Sequence, residues 1–304
     1  MSFSIDPARP LDEEVKRISD EQLDKAVQEL REPAEDRHEA IHDVRKRAKK
    51  LRALLRLVRA GDEALYAKEN ARLRDLARAL STVRDRTALI EAAHDLGEAV
   101  GGESSPLRSV RETLEKRRDA ALAQEGDLDA AIARTIEALE KSEARVDAVA
   151  FKKSAKKIVS RGYADNYARA RRALKVAAKS GDPHDFHELR KRAKYHMNHL
   201  RLLGGLWPEV FEPLEKQAER VSDDLGRDHD YAVLLAEIEA EPEAFGSQDQ
   251  RQTAVGLITE HSAELRARSL LTARRLFAAR PRAARRNLAA LWRQAARQPS
   301  APSV

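Results

Sequence analysis

The chain has 304 residues, 36% of them charged, yet the net charge is only +6 with a pI near 9.5. It contains no cysteine, which excludes disulfides and a thiolate metal site and fits a reducing cytoplasm. No eighteen apolar residues run together, and Met1–Val15 carries Asp12, Glu13 and Glu14, so neither a membrane span nor a secretory signal is expected.

Ala, Leu, Arg and Glu dominate while Gly (12), Pro (11) and aromatics (4%) are scarce, which predicts an all-α fold. In chain order, Asp36 precedes a periodic run over Arg37–Ala60, and Gly61 follows as a stop. Breaks come next at Gly101–Pro106 and Gln124–Asp127. Phe151–Ser180 then holds ten Lys or Arg against a single acid, Asp165. Gly181 ends that helix, Asp182 caps the next, and Pro183 suits its first position. That second run reaches Gly204-Gly205, and Trp207-Pro208 and Glu241-Pro242 mark further boundaries. Arg266–Val304 contains ten Arg and no acid, and the segment after Arg297 is expected to be disordered. Five or six helices per half result. The local basic blocks point to a polyanionic partner without choosing among nucleic acid, phospholipid and polyphosphate.

Internal repetition is the most informative feature. His42 and His187 stand 145 residues apart, and at that shift Ala40–Leu57 falls on Asp185–Leu202 with nine identities in eighteen positions. The same ungapped shift places Leu80, Asp85 and Leu89 on Leu225, Asp230 and Leu234. Equal spacing over that distance predicts a loop and helix of the same length in both halves. The chain is therefore expected to be one unit over 1–297, made of repeats 8–150 and 151–297, with a tail at 298–304.

Within the first copy, Ile41, Val44, Ala48, Leu51, Leu55 and Val58 form an apolar stripe at helical spacing. One position on, about 100° around the axis, lie His42, Arg45, Lys49, Arg52, Arg56 and Arg59. The second copy sets Phe186, Leu189, Ala193, Leu200 and Leu203 beside His187, Arg190, Lys194 and Arg201, with Lys46 and Lys191 adjacent to the rows. There Met197 replaces Arg52, and His196 falls where Leu51 packs. Such cations on a single helix would simply snorkel to water. Occurring twice, on faces with no acid of their own, they predict a site for a linear anion that relieves their repulsion. Arg presents a planar fork and Lys a compact charge to phosphate oxygens. Neither row interleaves aromatics, which argues against single-stranded nucleic acid.

His42 and His187 start their rows and are read either as phosphate donors or as helix-end histidines satisfied by a carbonyl or an acid. His38, His184, His196 and His199 form no HExxH pattern and have no carboxylate companion, so no metal and no other cofactor is expected. Asp85 and Asp230 are read as structural acids that orient a cation or the histidine of each repeat. No nucleophile with a partner and no phosphate-cradling glycine loop is present, so the expectation is a binding protein and not an enzyme.

These motifs resemble the CHAD family, the conserved-histidine α-helical domain. The resemblance rests on His42-Asp-Val-Arg45-Lys-Arg-Ala-Lys49 and His187-Glu-Leu-Arg190-Lys191-Arg-Ala-Lys194. Leu80-Ser-Thr-Val-Arg84-Asp85, Leu225-Gly226-Arg-Asp-His229-Asp230 and Tyr167-Ala-Arg169-Ala-Arg171-Arg172 add to it. It implies two helical bundles related by a pseudo-twofold axis around a central basic cavity, inorganic polyphosphate as ligand, and recruitment to polyphosphate granules in some members. The implied binders are His42, Arg45, Lys46, Lys49, Arg52, Arg56, His187, Arg190, Lys191, Lys194 and Arg201, with Arg169 and Arg172 as additions. No acidic β-barrel segment is present, so the triphosphatase of CYTH-containing relatives does not transfer. Two alternatives stand beside it: a nucleic-acid or granule-associated structural protein using the Arg-rich C-terminus, and a phosphate-chain hydrolase or transferase.

Overall fold

Residues 3–32, 37–80, 82–100, 107–123, 128–146 and 148–297 are described by the computed structural model, and every regular element among them is helical. The first half contains α1 (Leu11–Arg31), α2 (Arg37–Val58), α3 (Glu63–Ala79), α4 (Thr82–Val100), α5 (Leu107–Ala123) and α6 (Leu128–Val146). The second contains α7 (Ala155–Ser180), α8 (Pro183–Leu202), α9 (Pro208–Ala240), α10 (Gln248–Leu276) and α11 (Pro281–Ala295). Short 3-10 turns at Gly204–Leu206 and Pro242–Phe245 flank α9. No described helix is long and apolar enough to cross a membrane.

Local chemistry explains the boundaries. Gly181 takes φ 70° at the end of α7, a left-handed conformation that suits a residue without Cβ. Asp182 then accepts from His184 N at 2.7 Å, with Pro183 at the first position of α8. Asp62 caps α3 by accepting from Leu65 N, and Ser247 with Gln250 makes a reciprocal capping box on α10. Gly61 works differently from the expected helix stop. Its φ is not positive, and a Cβ there would lie 2.5 Å from the Phe151 ring, so glycine serves close approach. The expected cap Asp36 and the tail from 298 lie outside the described residues.

Both apolar stripes are buried, from Ile41 to Val58 and from Phe186 to Leu203. The helices pair in parallel fashion across the two halves. Helix α1 packs on α2 and α6, as α7 packs on α8 and α11; α2 packs on α3 as α8 does on α9; α4 packs on α5 as α9 does on α10. One element departs from the expected equivalence. At the 145-residue offset, the segment matching α3 and all but the last five residues of that matching α4 form the single, longer helix α9. Length is kept while the break after Ala79 is not.

The halves do not separate into independent cores. Leu23, Val44, Leu55 and Leu73 belong to a first-half core, and Tyr167, Leu189, Leu225 and Phe277 to a second-half core. A third cluster joins Leu54, Leu57 and Val58 of α2 to Ile158 and Val159 of α7, Met197 and Leu200 of α8, and Leu288 and Trp292 of α11. A fourth unites α4 and α5 with α9 and α10. Met197 therefore fills the shared apolar layer at the position where the first copy carries Arg52.

Candidate anion-binding site

Helices α2 and α8 cross in antiparallel sense. His199 Nε2 lies 3.1 Å from Ala53 O in the buried crossing, and Arg56 stacks 4.2 Å over the Tyr195 ring. Both rows border buried stripes, as the one-position offset predicts, but they face different neighbours. The α2 row runs along α3: Arg52 Nε donates to Asn70 Oδ1 at 3.1 Å, and Arg59 pairs with Glu63 at 2.7 Å. Arg56 and Arg59 also lie over Tyr66, at 5.4 and 4.7 Å. Aromatics thus meet the cations from adjacent helices, which periodicity along one helix does not reveal.

The α8 row runs along α9 and meets carboxylates there. Arg201 Nε donates to Glu215 at 2.6 Å and its Nη2 lies 3.8 Å from Glu219, while Lys194 lies 3.8 Å from Asp223. The acids that the α8 face itself lacks are thus supplied by the neighbouring helix, so a bound anion is not needed to relieve this part of the row. At the 145-residue offset, Glu215, Glu219 and Asp223 correspond to Asn70, Arg74 and Arg78. These three acids therefore have no acidic counterpart in the first copy. Nearer its start, Arg190 lies against Gly226, where a Cβ would come within 3.2 Å of Nε. Arg190 Nε is buried without a hydrogen-bond partner. The His187 ring stacks on His229 at 4.0 Å. Burial, with His229, Lys191 and Arg190 adding to it, lowers the His187 pKa to about 4.

Lys46 and Lys191 are turned to acids on their own helices, Asp43 at 2.9 Å and Glu188 at 2.5 Å. His42 and Arg45 are half-buried and Lys49 is exposed. Asp230 is half-buried on α9, and Asp85's side chain, like that of His38, lies outside what is described. His196 and His199 are core residues. His196 stacks among Tyr163, Tyr167 and Phe277, and burial lowers both pKa values to about 3. Among the described residues, no three His, Asp or Glu side chains gather as a metal site requires.

Cations from both halves meet where α7 crosses α2. Gly162 allows the crossing, since a Cβ there would lie 1.9 Å from Leu57 O. Beside it opens a cleft of about 880 Å³, lined by Arg59 from α2 and by Lys157, Arg161, Arg169 and Arg172 from α7, with Lys153 and Arg285 at its margin. Its two carboxylates, Glu63 and Asp165, are paired with Arg59 and Arg161. Arg169 and Arg172 continue into a second cleft of about 340 Å³ that reaches Arg192 of α8. Partial burial, then the charges of Arg56, Arg192 and Arg59, lower the Arg169 pKa. Three guanidinium groups thus lie close enough to repel that of Arg169; Arg59 and Arg192 are each paired with a carboxylate, Glu63 and Glu188, while Arg56 Nε is buried without a hydrogen-bond partner. Of the expected binders, the fold gathers Arg56, Arg169 and Arg172 here. Sequence reasoning missed Lys153, Lys157, Arg161, Arg192 and Arg285 as site residues, although the acid-poor stretch 151–180 was the available signal.

Fold and site together define an all-α protein whose two helical bundles share a core and frame a basic cleft. The chain belongs to the CHAD family: the CHAD domain profile matches residues 13–239. PptA from Streptomyces chartreusis has a similar structure, with a TM-score of 0.58 and 16% identity over 89% of this chain and 98% of that one. At that identity the likeness concerns the fold. No curated protein matches the sequence significantly.

Proposed function

We propose that this protein holds inorganic polyphosphate, without catalysing a reaction on it, in the cleft among α2, α7 and α8. The observation that carries this reading is the convergence of Arg56, Arg59, Arg169 and Arg192 around the cleft; partial burial first, and then the charges of the other three, lower the Arg169 pKa. A phosphate chain supplies alternating negative oxygens to such a cluster, and each guanidinium offers a two-pronged donor to them. An anion entering the cleft replaces repulsion with charge-assisted hydrogen bonds. Family membership supports the same ligand, because the CHAD resemblance implies polyphosphate binding. The proposal is for holding because the acids lining the cleft are already tied to arginines. Residence in the cytoplasm and recruitment to polyphosphate granules follow from this reading as proposals.

The histidine rows take a revised part in it. The α2 row leads toward the cleft at its Arg56–Arg59 end, whereas Lys194 and Arg201 of the α8 row are neutralised by α9. The test is titration of long-chain polyphosphate, and of duplex DNA of equal charge, over a salt series. The Arg169→Ala/Arg172→Ala variant is expected to weaken polyphosphate binding at least tenfold and to flatten the salt dependence, by roughly 1–2 in log–log slope for two lost phosphate contacts. Unchanged helix content by circular dichroism keeps the result interpretable. Wild-type protein that binds DNA as tightly as polyphosphate, or a variant with full affinity, refutes the proposal.

A further inference from the structure

The Arg-rich C-terminus, on which the alternative nucleic-acid or granule-associated reading relies, is built into the fold. Arg266 donates to the buried Asp228, Arg268 pairs with Asp224, and Leu288 and Trp292 bury α11 against the shared core. What this leaves on the surface is a groove between α7 and α11 of about 630 Å³, lined by Lys156, Lys157, Arg280, Arg282, Arg285 and Arg286 and by no carboxylate.

We propose that a polyphosphate chain seated in the α2–α7–α8 cleft continues along α7 into this groove, so that α11 confers preference for longer chains. The inference rests on the polyphosphate reading above and extends it to residues 280–286, which lie beyond the 13–239 family match. Continuity carries it: Lys157 and Arg285 line both the groove and the main cleft. Along α7, Lys156 and Arg172 are sixteen residues apart, so the combined track spans about 24 Å at 1.5 Å per residue.

Among the described residues, no acid lines the groove to offset its charge. No acid follows Glu264 in the chain, and the nearest acid on α7, Asp165, is already paired with Arg161 at 3.0 Å. Snorkelling does not account for the arrangement, because two helices bring cations to the same concavity. Ser160, Ala283 and Ala289 complete its lining, small residues that leave room for an extended chain without side branches. Among the described residues no aromatic lines either concavity, which favours a bare phosphate chain over single-stranded nucleic acid, whose bases need stacking platforms.

The full-length Arg282→Ala/Arg286→Ala variant tests this, because both arginines are exposed and lie outside the main cleft. Tripolyphosphate should bind it as it binds wild type, within twofold, while long-chain polyphosphate weakens about tenfold and its salt slope falls by roughly 1–2. A charge-matched control, Arg274→Ala/Arg275→Ala, should leave both ligands unaffected. If wild type binds long chains and the variant does so equally well, the inference fails while the function proposed above stands. Equal losses in the control refute it as a general charge effect. Equal losses for duplex DNA refute the assignment to polyphosphate. Should wild type bind no long-chain polyphosphate at all, the functional reading fails and takes this inference with it.

Discussion

Replacing Gly162 by Ala probes the joint on which the cleft depends. In most helix interiors the change adds about 1 kcal/mol of stability through propensity. Here the new Cβ would lie 1.9 Å from Leu57 O and 2.6 Å from Leu57 C. Backbone atoms have no rotamer through which to escape, so α7 must lift from α2 by about 1.5 Å to restore ordinary contact near 3.4 Å. A gap of 0.5–1 Å already forfeits a quarter to a half of each dispersion contact. The layer affected includes Leu57, Val58, Ile158 and Val159, all 2% exposed or less. Overpacking of this kind costs about 1–3 kcal/mol, occasionally more. After the propensity gain about 0–2 kcal/mol of loss remains, and the upper end, about 2 kcal/mol, is expected because the backbone cannot relax by changing rotamer. For chains of a few hundred residues, that corresponds to a fall in Tm of roughly 4–8 °C. The same displacement separates Arg56 and Arg59 from Arg169, so polyphosphate affinity should fall with stability. Thermal and urea unfolding, followed by circular dichroism with and without polyphosphate, provide the assay. A variant as stable as wild type would falsify the claim that this backbone contact sets the α2–α7 crossing.

Two further outcomes follow from the ionic arrangement. Changing Glu215 and Glu219 to Gln and Asp223 to Asn should release Lys194 and Arg201, raising polyphosphate affinity severalfold and steepening its salt dependence; no gain in affinity would mean that the α8 row does not reach the ligand. His196 and His199 are neutral when folded down to about pH 3, whereas unfolded they protonate near 6.5. The unfolded state therefore binds more protons in that window, and stability is full above about pH 6.5 and declines as pH falls towards 3. At pH 5 the loss is about 2 kcal/mol per histidine, from ~1.4 kcal/mol per pH unit. His196→Leu should shallow the decline in urea midpoint between pH 7 and pH 5, and an unchanged slope would exclude His196 as a source.

Fold class and the helix boundaries at Gly181, Asp182 and Pro183 were legible because they depend on local chemistry. The buried stripes were legible for a related reason: periodicity fixes where a side chain lies around its own helix axis. The candidate site was legible only in part. Arg56, Arg169 and Arg172 were named from the motifs, but nothing linear says that Arg59, Arg169 and Arg192 share one neighbourhood. Gly162 was also invisible as a joint, since its role lies in the distance to Leu57, more than a hundred residues away.

From the sequence alone came the helices, the basic rows, the 145-residue recurrence and the family resemblance, all consequences of spacing and residue type along the chain. Tertiary structure alone decided which charges met. It laid acids of α9 beside the α8 row, set an uncharged Asn70 beside Arg52, and brought α11 alongside α7. Coulomb energy depends on distance through space and on burial, and both are set by how helices cross. A row of cations on one helix is therefore a site or a ladder of ion pairs according to the neighbour it faces.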